Sequence, residues 1–529
     1  MREEKKNTFF GGAAILAMGI AIVKVIGALY KIPIVSILGK GYADFSNAYY
    51  IYSLLINVST AGLPVALSKL VSEASALGNR NQVEKVFRVA LVTFLTLGAA
   101  AFVIMYFFAD GLAGLMNDPL AAPGIKALAP AVVCVCGMAV FRGYAQGHAR
   151  MHPTAISQII EALCKLVVGL ALASYLIKIG QSESTAAAGA ITGVTVGTVL
   201  GVAYMALNYL RQKRDEPLGR RGDRVEPTGM VFKRLMALAV PITLSSSAVS
   251  IVTIVDSAIV QGRLQDALGM TLDQSRSLFS AYSGVMTVYA LPSSFMIAIT
   301  AALIPAVSAA RAVRDRKGAA KIVGSSLRVT ALLAFPAGAG LCVLGKPIVK
   351  LLFHSLDPEL SGPLLSILGI AAIFVCVMQV TNAILQAHGF VFLPIITMLI
   401  GGLVMIFFDY FVVAIPSVNI FGSPIGTLIC YAIVSVLGLI IVKRVVRGCP
   451  GFARIFAKPA LATVGMSAAA YAVYRLVSGF TGNTIATFAS ILAALVVYLV
   501  LVLALHAISR DDLSLMPKGD KIARLLHID

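Results

Sequence analysis

Residues 362–394 read GPLLSILGIAAIFVCVMQVTNAILQAHGFVFLP. No charged residue interrupts the run from Gly362 to Gln386, which is long enough as a helix to cross roughly 30 Å of hydrocarbon. The run closes on Gln386-Ala-His388 with Pro394 beyond it, and an earlier run closes on Gln146-Gly-His148 with Pro153 beyond it. Gln and His stand 240 residues apart in the two copies and Pro stands 241 apart. Leu63-Pro64 and Ile304-Pro305 repeat at the same offset of 241. One such match would be weak; several within one residue of the same offset mark an internal duplication.

Composition agrees with a membrane domain. Hydrophobic residues make up 59% of the 529 and charged residues 13%, against about 25% charged in soluble domains. About fourteen apolar spans can be drawn, from 8–37 to 484–507. The expected fold is an all-α polytopic membrane protein. An N-terminal six-helix half covers 1–210, a basic linker rich in Pro and Gly covers 211–232, and a second six-helix half covers 233–446. A further helix pair follows at 447–508 and a tail at 509–529. An even number of helices per half starts both halves on one side of the membrane, so the repeats are parallel. Such halves are expected to enclose a central cavity and to rock between inward-open and outward-open forms.

Basic residues alternate from loop to loop. Clusters at Arg2–Lys6, Arg80–Arg88, Arg142–Arg150, Arg211–Arg234, Arg311–Arg328, Lys443–Lys458 and Arg510–Arg524 hold most of the 43 Lys and Arg. The opposite loops hold few, among them Lys40, Arg263 and Arg276. By the positive-inside rule both termini are cytoplasmic. The apolar run after Lys6 lacks a small-x-small cleavage site and reads as a retained first helix. The net charge of +19 does not imply nucleic acid, because the charges sit in short loops. The seven Cys are scattered, Cys134 and Cys136 have the wrong spacing for zinc, and no metal site is expected. No phosphate-binding loop, nucleophile elbow or HExxH motif occurs, so an enzyme is not expected and no cofactor is implied.

Ionisable groups within spans are costly and usually face a cavity or a partner. Lys24 and Lys31 lie seven residues apart, hence on one face of the first span. In the second span Tyr49, Ser53, Asn57, Thr60 and Pro64 form a stripe at helical spacing. Together these are what a water-filled, anion-attracting cavity needs. The other reading is that Lys31 snorkels and the polar groups bond between helices. Glu161 and Lys165, four apart in the fifth span, are expected to form an ion pair within their helix. Asp256 and Asp409 have no such neighbour in sequence; each is protonated, paired or coordinates a cation.

Several stretches resemble a known superfamily. Lys24-Val-Ile-Gly-Ala-Leu-Tyr-Lys-Ile-Pro33, Ala61-Gly-Leu-Pro-Val-Ala-Leu-Ser-Lys69, Arg142-Gly-Tyr-Ala-Gln-Gly-His148, Ile160-Glu-Ala-Leu-Cys-Lys165 and Pro424-Ile-Gly-Thr427 are similar, in order, to the multidrug/oligosaccharidyl-lipid/polysaccharide flippases. The branch resembled holds stage V sporulation protein B, polysaccharide-export proteins and MurJ-type lipid II flippases. The resemblance implies that an undecaprenyl-pyrophosphate-linked saccharide is flipped from the inner to the outer leaflet of the bacterial cytoplasmic membrane. It implies a cationic cavity for the pyrophosphate, with Lys24 where such flippases carry a first-helix arginine. It places Asp256, Asp409, Ser423 and Thr427 at a Na+ site of some relatives, so coupling to Na+ or H+ is implied. Met405 stands where an asparagine of that site would be, and Ser53 where a basic residue would be. Implied partners are the lipid-linked oligosaccharide, the bilayer and cell-envelope synthesis proteins. Two alternatives stand beside this: a multidrug/cation antiporter, which would favour twelve spans and an acidic first span, and a non-transporting scaffold of an envelope or sporulation complex.

Overall fold

The computed structural model describes residues 19, 22–60, 62–148, 150–215, 225–312, 314–390, 392–446 and 448–508. Every regular element among them is helical. Among the described residues, eleven helical stretches are long and apolar enough to cross a bilayer, the most apolar being Asn483–Ala504 with a mean hydropathy of 2.7. The other three expected spans fall as follows. The first begins outside the described residues and continues as helix α1 over 22–38. The seventh and eighth lie within α10 (Thr228–Asp266) and α11 (Leu272–Ala312), of 39 and 41 residues. Much of the expected linker (216–224) and the expected tail (509–529) lie outside the described residues.

Packing divides the chain into two compact units. One holds the residues up to Gln265 together with Met270–Ser280; the other holds Asp266–Gly269 and the residues from Ala281 on.

The duplication read from the sequence recurs in local structure. Helices α4 (Arg80–Phe107) and α12 (Arg316–Val343) are both 28 residues long. Each is opened by a side chain that accepts from a backbone N–H: Asn79 from Gln82 at 2.9 Å, Asp315 from Gly318 at 2.8 Å. Such caps contribute about 1 kcal/mol each. Each long helix is followed by a short one, α5 (Ala109–Leu115) and α13 (Gly345–Leu352), and then by α6 (Ala122–Gly147) and α14 (Pro358–Ala387). The repeated histidines cap these last two helices. His148 Nδ1 lies 3.0 Å from the Tyr144 carbonyl oxygen and His388 Nδ1 2.8 Å from that of Ile384.

In the first unit the second span is broken. Helix α2 (Gly41–Thr60) stops before Gly62, and α3 (Leu63–Ala76) restarts with Pro64 in its first turn, where a missing N–H costs nothing. A Cβ at Gly62 would run into the Ala239 carbonyl of α10, so glycine permits this close approach.

The fifth span is α7 (His152–Cys164), a π-helical turn over Lys165–Gly169, and α8 (Leu170–Lys178). It packs on α9 (Glu183–Asp215) through Gly189, Gly193 and Gly197. A Cβ at Gly193 would meet the Gly169 backbone, and one at Gly197 the Glu161 carbonyl. Small residues at a four-residue spacing let membrane helices approach closely where apolar burial gives no net drive.

In the second unit the corresponding span is one unbroken helix, α15 (Leu393–Val412), beside α16 (Gly422–Val445). The final pair, α17 (Phe452–Ser478) and α18 (Asn483–Ala504), docks on α12 around Leu332, Met466 and Tyr498. The Tyr498 hydroxyl donates to the Leu332 carbonyl at 2.8 Å. Leu492, Val496 and Val500 of α18 are exposed, as suits a face turned to hydrocarbon.

Candidate functional site

The polar residues expected to line a cavity lie in the first unit. On α1, Lys24 is exposed and Lys31 half-buried; on α2, Tyr49, Ser53, Asn57 and Thr60 are half-buried. Asn57 donates to the Ser250 hydroxyl of α10 at 2.7 Å, and Thr60 to its own helix at the Ile56 carbonyl. Tyr49 sits in the electrostatic field of Lys31, Glu161 and Lys24. It belongs to an aromatic run on α2: its ring stacks on Phe45 with centroids 6.0 Å apart and meets Tyr52 at 5.7 Å.

The expected ion pair of Glu161 with Lys165 does not form. Glu161 pairs with Arg142 of α6, guanidinium to carboxylate at 3.2 Å. Arg142 also donates to Ser157 at 2.9 Å, one turn before Glu161. Lys165 points elsewhere, its ammonium 4.5 Å from the Tyr49 ring centroid and 4.9 Å from that of Tyr30. The backbone between the two is still α-helical, with the Lys165 N–H on the Glu161 carbonyl, so the pairing fails because Arg142 takes the carboxylate and not because the four-residue register is lost. Arg142 was visible in the sequence only as part of a motif; its partner lies across a helix interface that no local spacing reveals.

A second cluster, unforeseen from the sequence, lies where α1 passes into α2. Arg276 of α11 donates twice to Asp44 of α2, at 2.7 and 2.6 Å, and lies 3.9 Å from Asp118. Asp44, Asp118 and Arg276 are all buried. Asn47 donates to Asp118 at 2.8 Å and to Gln261 of α10 at 3.1 Å, and accepts from Ser257 at 2.9 Å. Ser280 donates to the Gly39 carbonyl at 2.6 Å, and Lys40 pairs with Asp273. Burial holds the Asp118 carboxyl above the usual carboxylate range, whereas the Lys40 hydrogen bond holds exposed Asp273 below it. The network thus ties α2 and the α5–α6 connection to α10 and the start of α11.

Of the four residues expected at a cation site, three lie in the second unit. Asp409 of α15 is buried against Gly426 of α16, where a Cβ would strike its carboxylate. Ser423 and Thr427, on the same stretch of α16, are buried too. Thr427 shares a hydrogen bond with the Tyr282 hydroxyl at 3.2 Å. Asp256 is buried in the first unit, on α10. The seven cysteines are free.

Among known proteins, the chain is 24% identical over 450 residues to the lipid II flippase MurJ of Bacillus subtilis, covering 82% of each chain. It is 23% identical to stage V sporulation protein B of the same organism over 97% of this chain and 98% of that one. It is 27% identical to the B. subtilis membrane protein YabM, over 82% and 80%. Its fold matches that of MurJ in an inward closed conformation, with a TM-score of 0.71 at 16% identity over 92% and 98% of the two chains. It also matches an inward-facing multidrug resistance MATE transporter of the MOP superfamily, with a TM-score of 0.67 at 16% identity over 83% and 100%. Residues 9–311 match the polysaccharide biosynthesis protein family. The chain is therefore a multi-pass membrane protein of the polysaccharide biosynthesis protein family, built on the fold that MurJ shares with MATE transporters.

Proposed function

We propose that the protein is a flippase that carries an undecaprenyl-pyrophosphate-linked saccharide, a lipid II-like precursor or a polysaccharide unit, from the inner to the outer leaflet by alternating access. The observation that carries this reading is the pairing of a lysine face on α1, Lys24 and Lys31, with a half-buried polar face on α2, Tyr49, Ser53 and Asn57. Cations at membrane depth are retained where they serve a permeant or a partner, and a pyrophosphate supplies the complementary charge. Kinship with MurJ and stage V sporulation protein B points to the same substrate class.

In this reading both termini are cytoplasmic, and the Asp44–Arg276 network lies at the outer ends of its helices. Asp256, Asp409, Ser423 and Thr427 couple the cycle to Na+ or H+. The test is reconstitution of the pure protein in liposomes with fluorescent lipid II in both leaflets, followed by a membrane-impermeant quencher. Protein-dependent access specific to lipid II, absent for a fluorescent phospholipid and reduced in Lys24→Ala, is expected. Absence of protein-dependent movement would remove lipid II as the substrate. An imposed Na+ or pH gradient that leaves the rate unchanged would remove the coupling assignment.

A further inference from the structure

Lys165 is the one residue of the first unit whose sequence reading and structural setting diverge most. It stands near the middle of a span (His152–Lys178), yet its expected counter-ion Glu161 is taken by Arg142. Among the described residues its ammonium has no carboxylate partner and no hydrogen-bond acceptor. What surrounds it is the faces of Tyr30 and Tyr49 and the like charge of Lys31. Tyrosine faces attract a cation but accept none of its three N–H bonds in the way an oxygen does. A second ammonium nearby disfavours it further.

The other half of the molecule shows that the fold does not need this charge. At the 241-residue offset of the repeat anchor on this span, Pro153 and Pro394, the counterpart of Lys165 is Ile406, half-buried on α15. There the helix runs unbroken, whereas the first unit inserts a π turn beginning at Lys165. Local π turns within helices recur at functional sites because they re-aim a side chain at a small cost in backbone bonding. At the start of that turn the Lys165 ammonium lies over Tyr49, the residue that also sits in the field of Lys31, Glu161 and Lys24.

We propose that Lys165 is a third pyrophosphate-binding cation, acting with Lys24 and Lys31, and that Tyr30 and Tyr49 hold its ammonium in place until the anion arrives. The proposal rests on the flippase reading above. A pyrophosphate brings several oxygens and more than one negative charge, and so can satisfy the N–H groups that the tyrosine rings leave open.

The test uses the full chain in detergent, titrated calorimetrically with farnesyl pyrophosphate. Lys165→Met, which keeps an unbranched side chain of similar length without the charge, is expected to weaken binding by about tenfold or more, with the melting temperature unchanged or raised because a cation without a carboxylate has left the membrane interior. Lys165→Arg, which keeps the charge, is expected to recover most of the affinity. Wild-type affinity in Lys165→Met alongside loss in Lys24→Ala would overturn the role of Lys165 and leave the flippase site standing. Wild-type affinity in both variants would remove the site itself. A lowered melting temperature in Lys165→Met, with no recovery of binding in Lys165→Arg, would make the lysine structural and overturn the proposal.

Discussion

Two clusters of charge occupy the first unit, and they are built in opposite ways. Around Arg276 the charges are paired: the guanidinium takes both oxygens of Asp44 and stands 3.9 Å from Asp118, while Asn47, Ser257 and Gln261 bond around them, although Asp118 Oδ1 itself accepts no hydrogen bond among the described residues. Around Tyr49 three lysines, Lys24, Lys31 and Lys165, face aromatic and polar company, and the one carboxylate there, Glu161, is taken by Arg142. The first arrangement is what a closed, load-sharing junction requires, since a buried charge is tolerable only when paired and hydrogen-bonded. The second leaves net positive charge at membrane depth, which is stable only at a cost and is useful when an anion arrives. Among the described residues, the same unit therefore holds one cluster whose buried cation is paired with carboxylates and one whose cations are not.

The comparison can be broken most decisively at Arg276. Arg276→Ala leaves Asp44 and Asp118 buried without their cation and is expected to cost about 3–5 kcal/mol, measured as a fall in unfolding free energy or melting temperature in detergent. Arg276→Lys keeps the charge but loses the two-pronged geometry and should fall between. If Arg276→Ala melts like the wild type, the network is not the junction described. The variants at Lys24 and Lys165 carry the reverse expectation, with stability retained and ligand handling lost.

A smaller effect sharpens the boundary between the clusters. A double-mutant cycle on Arg142 and Glu161 should return a coupling of about 1 kcal/mol or more, because the pair is largely buried with its charges 3.2 Å apart. The same cycle on Glu161 and Lys165 should return a coupling near zero. Equal couplings would restore the pairing expected from sequence spacing.

The smallest effect belongs to Lys40 and Asp273, which are exposed. Because the folded pair holds the Asp273 carboxyl below the usual range, its contribution is present above the ordinary carboxylate pKa. It is lost as pH falls through the lowered folded value. The melting temperatures of wild type and Asp273→Asn should therefore differ slightly at neutral pH, less in high salt, and converge in acid. A difference that persists in acid would assign the effect to something other than this pair.

Much of the architecture is legible in the chain itself. Apolar run length places the helices, because the hydrocarbon thickness fixes how many residues a span needs. The spacing of Gln146-Gly-His148 and Gln386-Ala-His388 announces the duplication, and both histidines cap their helices alike. Lys24, Lys31 and the α2 stripe are readable because helical periodicity is local. What sequence could not decide is which charges meet. Arg276 and Asp44 are 232 residues apart, and nothing in either neighbourhood names the other. Glu161 and Lys165 are four apart, and the local rule that should have joined them failed. A packed neighbour, Arg142, offered Glu161 a better partner. Periodicity fixes which face a residue occupies; only the packing of one helix on another decides what that face finds there, because ion pairs form between the groups that tertiary contact brings within a few ångströms.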